Sequence, residues 1–194
     1  MRWATNETEE QEEIIEKYVK TINNNIYFFS DVSNESIFEF IEQFKNLETK
    51  LLKSSIELED YIPNINVFIN SNGGDVYAGL SAMDILLKSK IHVTTIAIGC
   101  TASAATFILL GGNNVKMTEN STILIHQIST AGFWGKYEEL KDEMKTCKGL
   151  MNQIMSIYKK NTKIPQQKLN KLMKRDIYLN SKKCIKYGIV SSLY

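Results

Sequence analysis

Cysteine is scarce in this chain, and the three residues present, Cys100, Cys147 and Cys184, form an odd set without CxxC spacing. Neither a disulfide framework nor a zinc site is expected, and a reducing, cytoplasmic compartment fits best. An excess of one charge is also missing. Lys and Arg number 23 against 22 Asp and Glu, so there is no basic field to draw in nucleic acid. No apolar run approaches the roughly 18 residues of a membrane span. The opening MRWATNETEEQEE holds no apolar core of signal-peptide length, so neither secretion nor membrane insertion is expected. Histidine is rarer still, with His92 and His126 the only two.

What remains is the composition of an ordinary folded domain, 43% hydrophobic and 23% charged over 194 residues. A chain of that size buries roughly 70% of its unfolded surface. The expectation is one domain over residues 1–194, with a short lead at 1–12 and no internal repeat.

Hydrophobic spacing gives the elements. Ile14, Ile15, Tyr18, Val19 and Ile22 predict an amphipathic helix over about 8–22. Ile26 to Phe29 reads as a buried strand. A helix is expected from about Ser36 to Leu52, capped by Ser33 or Asn34, then a polar connector over 53–63. Ile65 to Ile69 reads as a strand, Asn72-Gly73-Gly74 as a tight turn and Tyr77 to Leu87 as a helix. The alternation repeats with strand His92 to Ile98, a small-residue turn over Gly99 to Ala102 and a helix from Ser103 to Leu110. Ile123 to Ile125 is a further strand. The longest helix covers Lys136 to Lys160 and carries a Met-rich apolar stripe suited to an oligomer contact or to plain core packing. Pro165 to about Met173 and Ser181 to Tyr187 are short helices before a terminal strand. Successive strand-turn-helix units predict an α/β fold with parallel strands and right-handed crossovers.

Four features suit acyl transfer, which needs a nucleophile on a rigid turn, an imidazole, a carboxylate to orient it and amide donors for the oxyanion. Ser103 follows Gly99-Cys100-Thr101-Ala102 and opens an apolar helix; taken alone it reads as an N-cap. His126 ends a strand, where a titratable side chain emerges at the carboxyl edge of a sheet. His92 lies at the opposite end of its strand. Asp176 sits between a helix and a short strand and, in isolation, reads as a surface acid. The Asn70-Ser71-Asn72-Gly73-Gly74-Asp75 turn lets backbone amides approach a substrate that a Cβ would block. It lacks the spacing of a dinucleotide or Walker loop, so nucleotide binding is not expected.

Together these segments resemble the Clp protease proteolytic subunit family, from about Glu13 to Leu193. Ile69-Asn70-Ser71-Asn72-Gly73-Gly74 resembles the family's INSPGG turn, and Gly99-Cys100-Thr101-Ala102-Ser103-Ala104 its GxAASM segment. Ile125-His126-Gln127 resembles IHQP, and Arg175-Asp176-Ile177-Tyr178-Leu179 resembles RDxFL. The resemblance implies the Clp protease/crotonase fold, with residues 132–160 forming a protruding handle region. It implies a serine endopeptidase with Ser103 as nucleophile, His126 as base and Asp176 as orienting acid. The Gly74 and Ala104 amides would form the oxyanion hole, and Gly73, Gln127, Gly132 and Phe133 would contact substrate. Substrates would be unfolded polypeptides, cut inside a homo-oligomeric chamber of two stacked heptameric rings, a tetradecamer. No metal or cofactor is implied, and ATP would belong to a partner AAA+ unfoldase.

Asn72, Ala104 and Lys174 depart from the family pattern, which has Pro, Met and often an acid there. Asn66, Phe68 and Lys88 occupy the positions of the aromatic unfoldase-docking pocket, and two of the three are polar, which counts against conventional docking. A catalytically silent ring subunit, a viral capsid-maturation peptidase and a crotonase-type hydratase are the alternatives.

Overall fold

The computed structural model describes residues 18–130, 132 and 134–194. Its framework is a sheet in the order β1-β2-β3-β4-β5-β8, with β6 beside β4 and β7 beside β6. The strands are β1 Val19–Ile22, β2 Asn25–Phe28, β3 Asn64–Ser71, β4 His92–Ala102, β5 Asn114–Met117, β6 Thr122–Leu124, β7 Tyr178–Asn180 and β8 Ser192–Leu193. The ladder from β2 through β3, β4 and β5 to β8 is parallel, while β1 and β7 pair antiparallel with their neighbours. The helices are α1 Asn34–Glu57, α2 Val76–Leu87, α3 Ala105–Leu110, α4 Tyr137–Asn161, α5 Gln166–Leu172 and α6 Ser181–Lys186. The expected α/β architecture is therefore present.

Helix α1 begins where a reciprocal cap fixes it. Ser36 N–H donates to Ser33 Oγ at 3.2 Å and Ser33 N–H to Ser36 Oγ at 3.0 Å, which satisfies two amides that the helix itself leaves open. Its apolar face, Ile37, Phe40, Phe44, Leu47 and Leu51, is buried. Phe40 meets Phe28 of β2 edge to face at 5.9 Å, so the helix lies on the sheet through aromatic as well as aliphatic contact.

Three expectations need correction. Residues 18–22 do not continue a helix: Val19–Ile22 is a strand joined to β2 across Asn23-Asn24, with Asn23 at φ +55°. Asparagine tolerates that left-handed turn, and pairing with β2 overrides the local spacing. The remainder of the expected 8–22 helix lies outside the described residues. The polar connector does not start at 53, because α1 runs on to Glu57, where the Leu58 N–H caps it by donating to Ser54 O. Finally, Gly99 to Ala102 is not a turn but the end of β4. The register of β3 and β4 shifts between Ile69 and Ser71, and the Asn70 side chain accepts the Cys100 N–H at 3.1 Å across the irregularity, so the chain stays extended. Gly99 sits there at φ +57° with Asn70 Oδ1 2.9 Å from where a Cβ would stand.

Strand β4 serves two neighbours in succession. Thr94 to Ala97 pairs with β5, which the sequence reading did not identify, and Cys100 to Ala102 pairs with β6. The site lies at that second, carboxyl end.

Candidate active site

Ser103 leaves β4 at φ +53°, a left-handed conformation uncommon for a residue with a Cβ. The helix accordingly starts at Ala105 and not at Ser103, with Ala104 as its cap. Ser103 is no ordinary N-cap. Its N–H donates to Leu124 O at 2.9 Å, its carbonyl accepts the Thr106 N–H at 3.0 Å, and this pinning on both sides holds the strained turn.

The Asn70–Asp75 loop closes over the turn. Gly73 lies at φ +97°, and a Cβ there would stand 2.6 Å from Ser103 Cβ and 2.7 Å from Ala102 O. Gly74 bridges to Val32 in parallel register, with Val32 N–H donating to Gly73 O at 2.8 Å and Asp75 N–H to Val32 O at 2.7 Å. A Cβ on Gly74 would fall 2.2 Å from Val32 O. Both glycines are required by close approach of backbone. Among the described residues, neither the Gly74 nor the Ala104 N–H has an acceptor in the fold.

His126 follows β6 by two residues, and Asp176 precedes β7 by two. Since β6 and β7 pair antiparallel with Leu124 opposite Tyr178, the two side chains fall opposite each other where the ladder would continue. His126 Nδ1 lies 3.0 Å from Asp176 Oδ1. A carboxylate only accepts, so Nδ1 carries a proton, which in the neutral ring makes Nε2 the acceptor. The His126 side chain is 23% exposed and that of Asp176 75%, so water also solvates the acid. The Gln127 N–H donates to Met173 O at 2.8 Å, which ties the histidine segment to the end of α5.

Gly74, Ser103, Ala104, His126 and Gln127 all line one small cavity of about 50 Å³. Val76, Phe107, Ile128, Ile154 and Tyr158 complete its apolar wall. Most of the expected site residues therefore meet, whereas Gly73 stands behind Ser103 as support. Gly132 is elsewhere: at φ +112° it borders a separate depression with Thr130, Trp134 and Glu139. Residues 125–130, between β6 and Gly132, form no strand. Phe133 lies outside the described residues.

The sequence reading missed the pair behind the nucleophile. Thr106 Oγ1 lies 2.6 Å from the Ser103 carbonyl and 2.5 Å from Tyr158 Oη, and both side chains are buried. A lone hydroxyl inside the apolar run Ala104 to Leu110 was the available signal. Burial holds the Tyr158 phenol well above its ordinary range, opposed by the Thr106 hydrogen bond. Among the described residues, no group of three or more His, Cys, Asp or Glu is placed to hold a metal ion.

Comparison with known proteins gives the family. The Clp protease family model matches residues 10–194. The chain is 36% identical over 131 residues to the ATP-dependent Clp protease proteolytic subunit of Deinococcus radiodurans, 66% of this chain and 64% of that protein. It is 31% identical over 140 residues to the proteins of the same name from Oltmannsiellopsis viridis and Chlorella vulgaris, 71% of this chain in each case and 71% and 69% of theirs. The chain thus spans less than two thirds of the Deinococcus relative's length. With the family model matching nearly every residue, this chain belongs to the Clp protease family.

Proposed function

We propose that the chain is a serine endopeptidase subunit that hydrolyses polypeptides through a Ser103 acyl-enzyme. The observation that carries this reading is the His126 Nδ1 to Asp176 Oδ1 contact of 3.0 Å beside a cavity shared with Ser103. His126 Nε2 takes the Ser103 hydroxyl proton as Oγ bonds to the peptide carbonyl carbon. The developing oxyanion accepts hydrogen bonds from the Gly74 and Ala104 amides. The C–N bond then breaks, and the proton passes from His126 to the leaving amine. Water, activated by the same imidazole, attacks the ester and restores the Ser103 hydroxyl. Asp176 holds the ring in the reactive tautomer, and the chemistry asks for no metal or cofactor.

Val76, Phe107, Ile128 and Ile154 give the cavity an apolar wall. A volume near 50 Å³ suits a small apolar side chain next to the cut bond.

Assembly is part of the same reading. On α4 only Ile154 and Tyr158 are buried, while Tyr137 is 72% and Met144 61% exposed, beside Trp134 at 91%. Such apolar exposure supports a second copy packing on the handle, and stacked heptameric rings would enclose the cutting sites. Docking of an AAA+ unfoldase is a further expectation. Of its assigned positions, Asn66 is committed to Asn25 at 2.9 Å and Phe68 stacks on Tyr27 at 5.0 Å, so any docking surface is aromatic chiefly through Tyr27, Phe68 and Tyr194. Free thiols at Cys100, Cys147 and Cys184 suit a reducing compartment.

A fluorophosphonate probe tests the chemistry. Labelling of Ser103, lost in Ser103→Ala and slowed in His126→Ala, is expected together with cleavage of a fluorogenic peptide. An intact oligomer that neither labels nor cuts overturns the reading in favour of a silent ring subunit. Native mass spectrometry reads the assembly, where a heptameric or tetradecameric mass is expected and a monomer overturns the chamber.

A further inference from the structure

We infer that Thr106 and Tyr158 form a hydrogen-bonded relay that ties the handle helix α4 to the nucleophile turn and makes Tyr158 a positioning residue for Ser103. This inference rests on the serine peptidase reading and extends it to two buried residues that lie 52 positions apart in the chain.

The direction of each hydrogen bond follows from counting protons. The Ser103 carbonyl only accepts, and Thr106 Oγ1 lies 2.6 Å from it, so the single Thr106 hydroxyl proton is committed there. Tyr158 Oη, 2.5 Å from the same Oγ1, must then be the donor. The chain of donation runs Tyr158 O–H to Thr106 O–H to Ser103 C=O. Burial favours the neutral phenol, which keeps that donor proton in place.

Ser103 has the reason to need such support. Its left-handed backbone is disfavoured for a residue with a Cβ, and a turn of this kind persists only where surrounding bonds over-determine it. Leu124 O holds the amide side, whereas the carbonyl side depends on Thr106 through both N–H and O–H. Rotation of that peptide plane would also turn the Ala104 N–H, since the Ser103 carbonyl and the Ala104 amide belong to one planar unit. The relay therefore fixes the nucleophile and one oxyanion donor together.

The other end of the relay is on α4, which spans Tyr137–Asn161 and is buried only at Ile154 and Tyr158. Tyr158 also packs on Phe107 with ring centroids 5.9 Å apart and lines the site cavity. The handle thus grips the body of the protein at the residue that supports the catalytic turn. A shift of α4 at its C-terminal half would be felt at Ser103 through two hydrogen bonds.

The test uses the full chain with Tyr158→Phe, Thr106→Val, the pair combined, and Thr106→Ser. Hydrolysis of a fluorogenic peptide gives kcat and KM, and the fluorophosphonate labelling rate reports Ser103 directly. Each of Tyr158→Phe and Thr106→Val should lower kcat and the labelling rate about tenfold with KM within about twofold, a loss in keeping with small misplacement of a nucleophile. The combined variant should be no slower than the worse single one, because both cut the same chain. Thr106→Ser keeps the hydroxyl and should recover most of the rate. Tyr158→Phe at the unsubstituted rate, multiplicative effects in the pair, or Thr106→Ser as slow as Thr106→Val would each overturn the relay. Tyr158→Phe removes one oxygen and keeps the ring, so it decides the matter should Thr106→Val not fold. Tyrosine labelled with ¹³C at Cζ supplies a readout independent of activity: the Tyr158 resonance should move in Thr106→Val and stay in Thr106→Ser, and an unmoved resonance in both overturns the hydrogen bond. An unsubstituted protein that neither labels nor cuts would overturn the peptidase reading instead, while the Cζ resonance still reports on the relay.

Discussion

His126 and Asp176 meet because they are cross-strand neighbours in a ladder that has already ended. The β6–β7 pairing stops at Leu124 and Tyr178, and two residues further on Nδ1 and Oδ1 stand 3.0 Å apart. Opposed positions on an antiparallel pair bring side chains within reach, so sheet register alone delivers the base to its acid. The contact is built into the fold and needs no loop closure.

Asp176→Asn should therefore leave the pair in place but offer Nδ1 a mixed donor and acceptor, which releases the tautomer. We expect kcat for a peptide substrate to fall about a hundredfold with little change in KM, less than for a fully buried triad acid. The reason for the smaller loss is that Asp176 is 75% exposed and water can replace part of its role. A Asp176→Asn enzyme within about threefold of the original rate would show that the contact does not serve the reaction.

Gly73→Ala tests the support behind the nucleophile. A methyl group there would stand 2.6 Å from Ser103 Cβ on a backbone at φ +97°, so the turn, the Ser103 side chain or both must move. Loss of peptide cleavage by about a hundredfold is expected with a retained circular dichroism spectrum. Unaltered cleavage would mean that the loop over Ser103 is free to give way.

The candidate site was legible in the sequence through its motifs taken together and not through any one position. Ser103 taken alone reads as an N-cap and Asp176 as a surface acid, and only the resemblance of four segments in order joined them to His126. What escaped depended on partners distant in the chain. Strands β1 and β5 have four residues each and are defined by the neighbours they pair with, so helical spacing over 14–22 could not be arbitrated from within. Thr106 and Tyr158 are 52 residues apart, and nothing in either segment names the other. Gly132, expected at the substrate, borders a separate depression with Thr130, Trp134 and Glu139.

Glu48 predicts an acid-sensitive component of stability. It is buried on α1, where it accepts hydrogen bonds from Ser89 Oγ at 2.9 Å and the Lys90 N–H at 2.7 Å and pairs with Lys45 at 2.9 Å. Burial alone would push its carboxyl up, but the Lys45, Lys90 and Ser89 contacts outweigh that and leave it below the usual carboxylate range. A depressed native value means that the unfolded chain binds the proton first as pH falls. The contribution is whole above the ordinary carboxylate range and disappears as pH drops through the native value. Urea denaturation at pH 7 and at pH 4 should show the unsubstituted protein losing more stability than Glu48→Gln; equal losses would contradict this account.

Ser103 itself sets stability against activity. At φ +53° any side chain with a Cβ is disfavoured, and glycine is not. Ser103→Ala removes the nucleophile and keeps the strain, whereas Ser103→Gly removes both. Relief of a single left-handed residue amounts to about 1 kcal/mol, offset in part by the greater freedom glycine gives the unfolded chain. Both variants should be inactive, and Ser103→Gly should be the more stable of the two by several tenths of a kcal/mol up to about 1 kcal/mol in denaturant titration. A Ser103→Gly protein less stable than Ser103→Ala would mean that the Leu124 and Thr106 hydrogen bonds hold the turn in a conformation that costs the serine nothing.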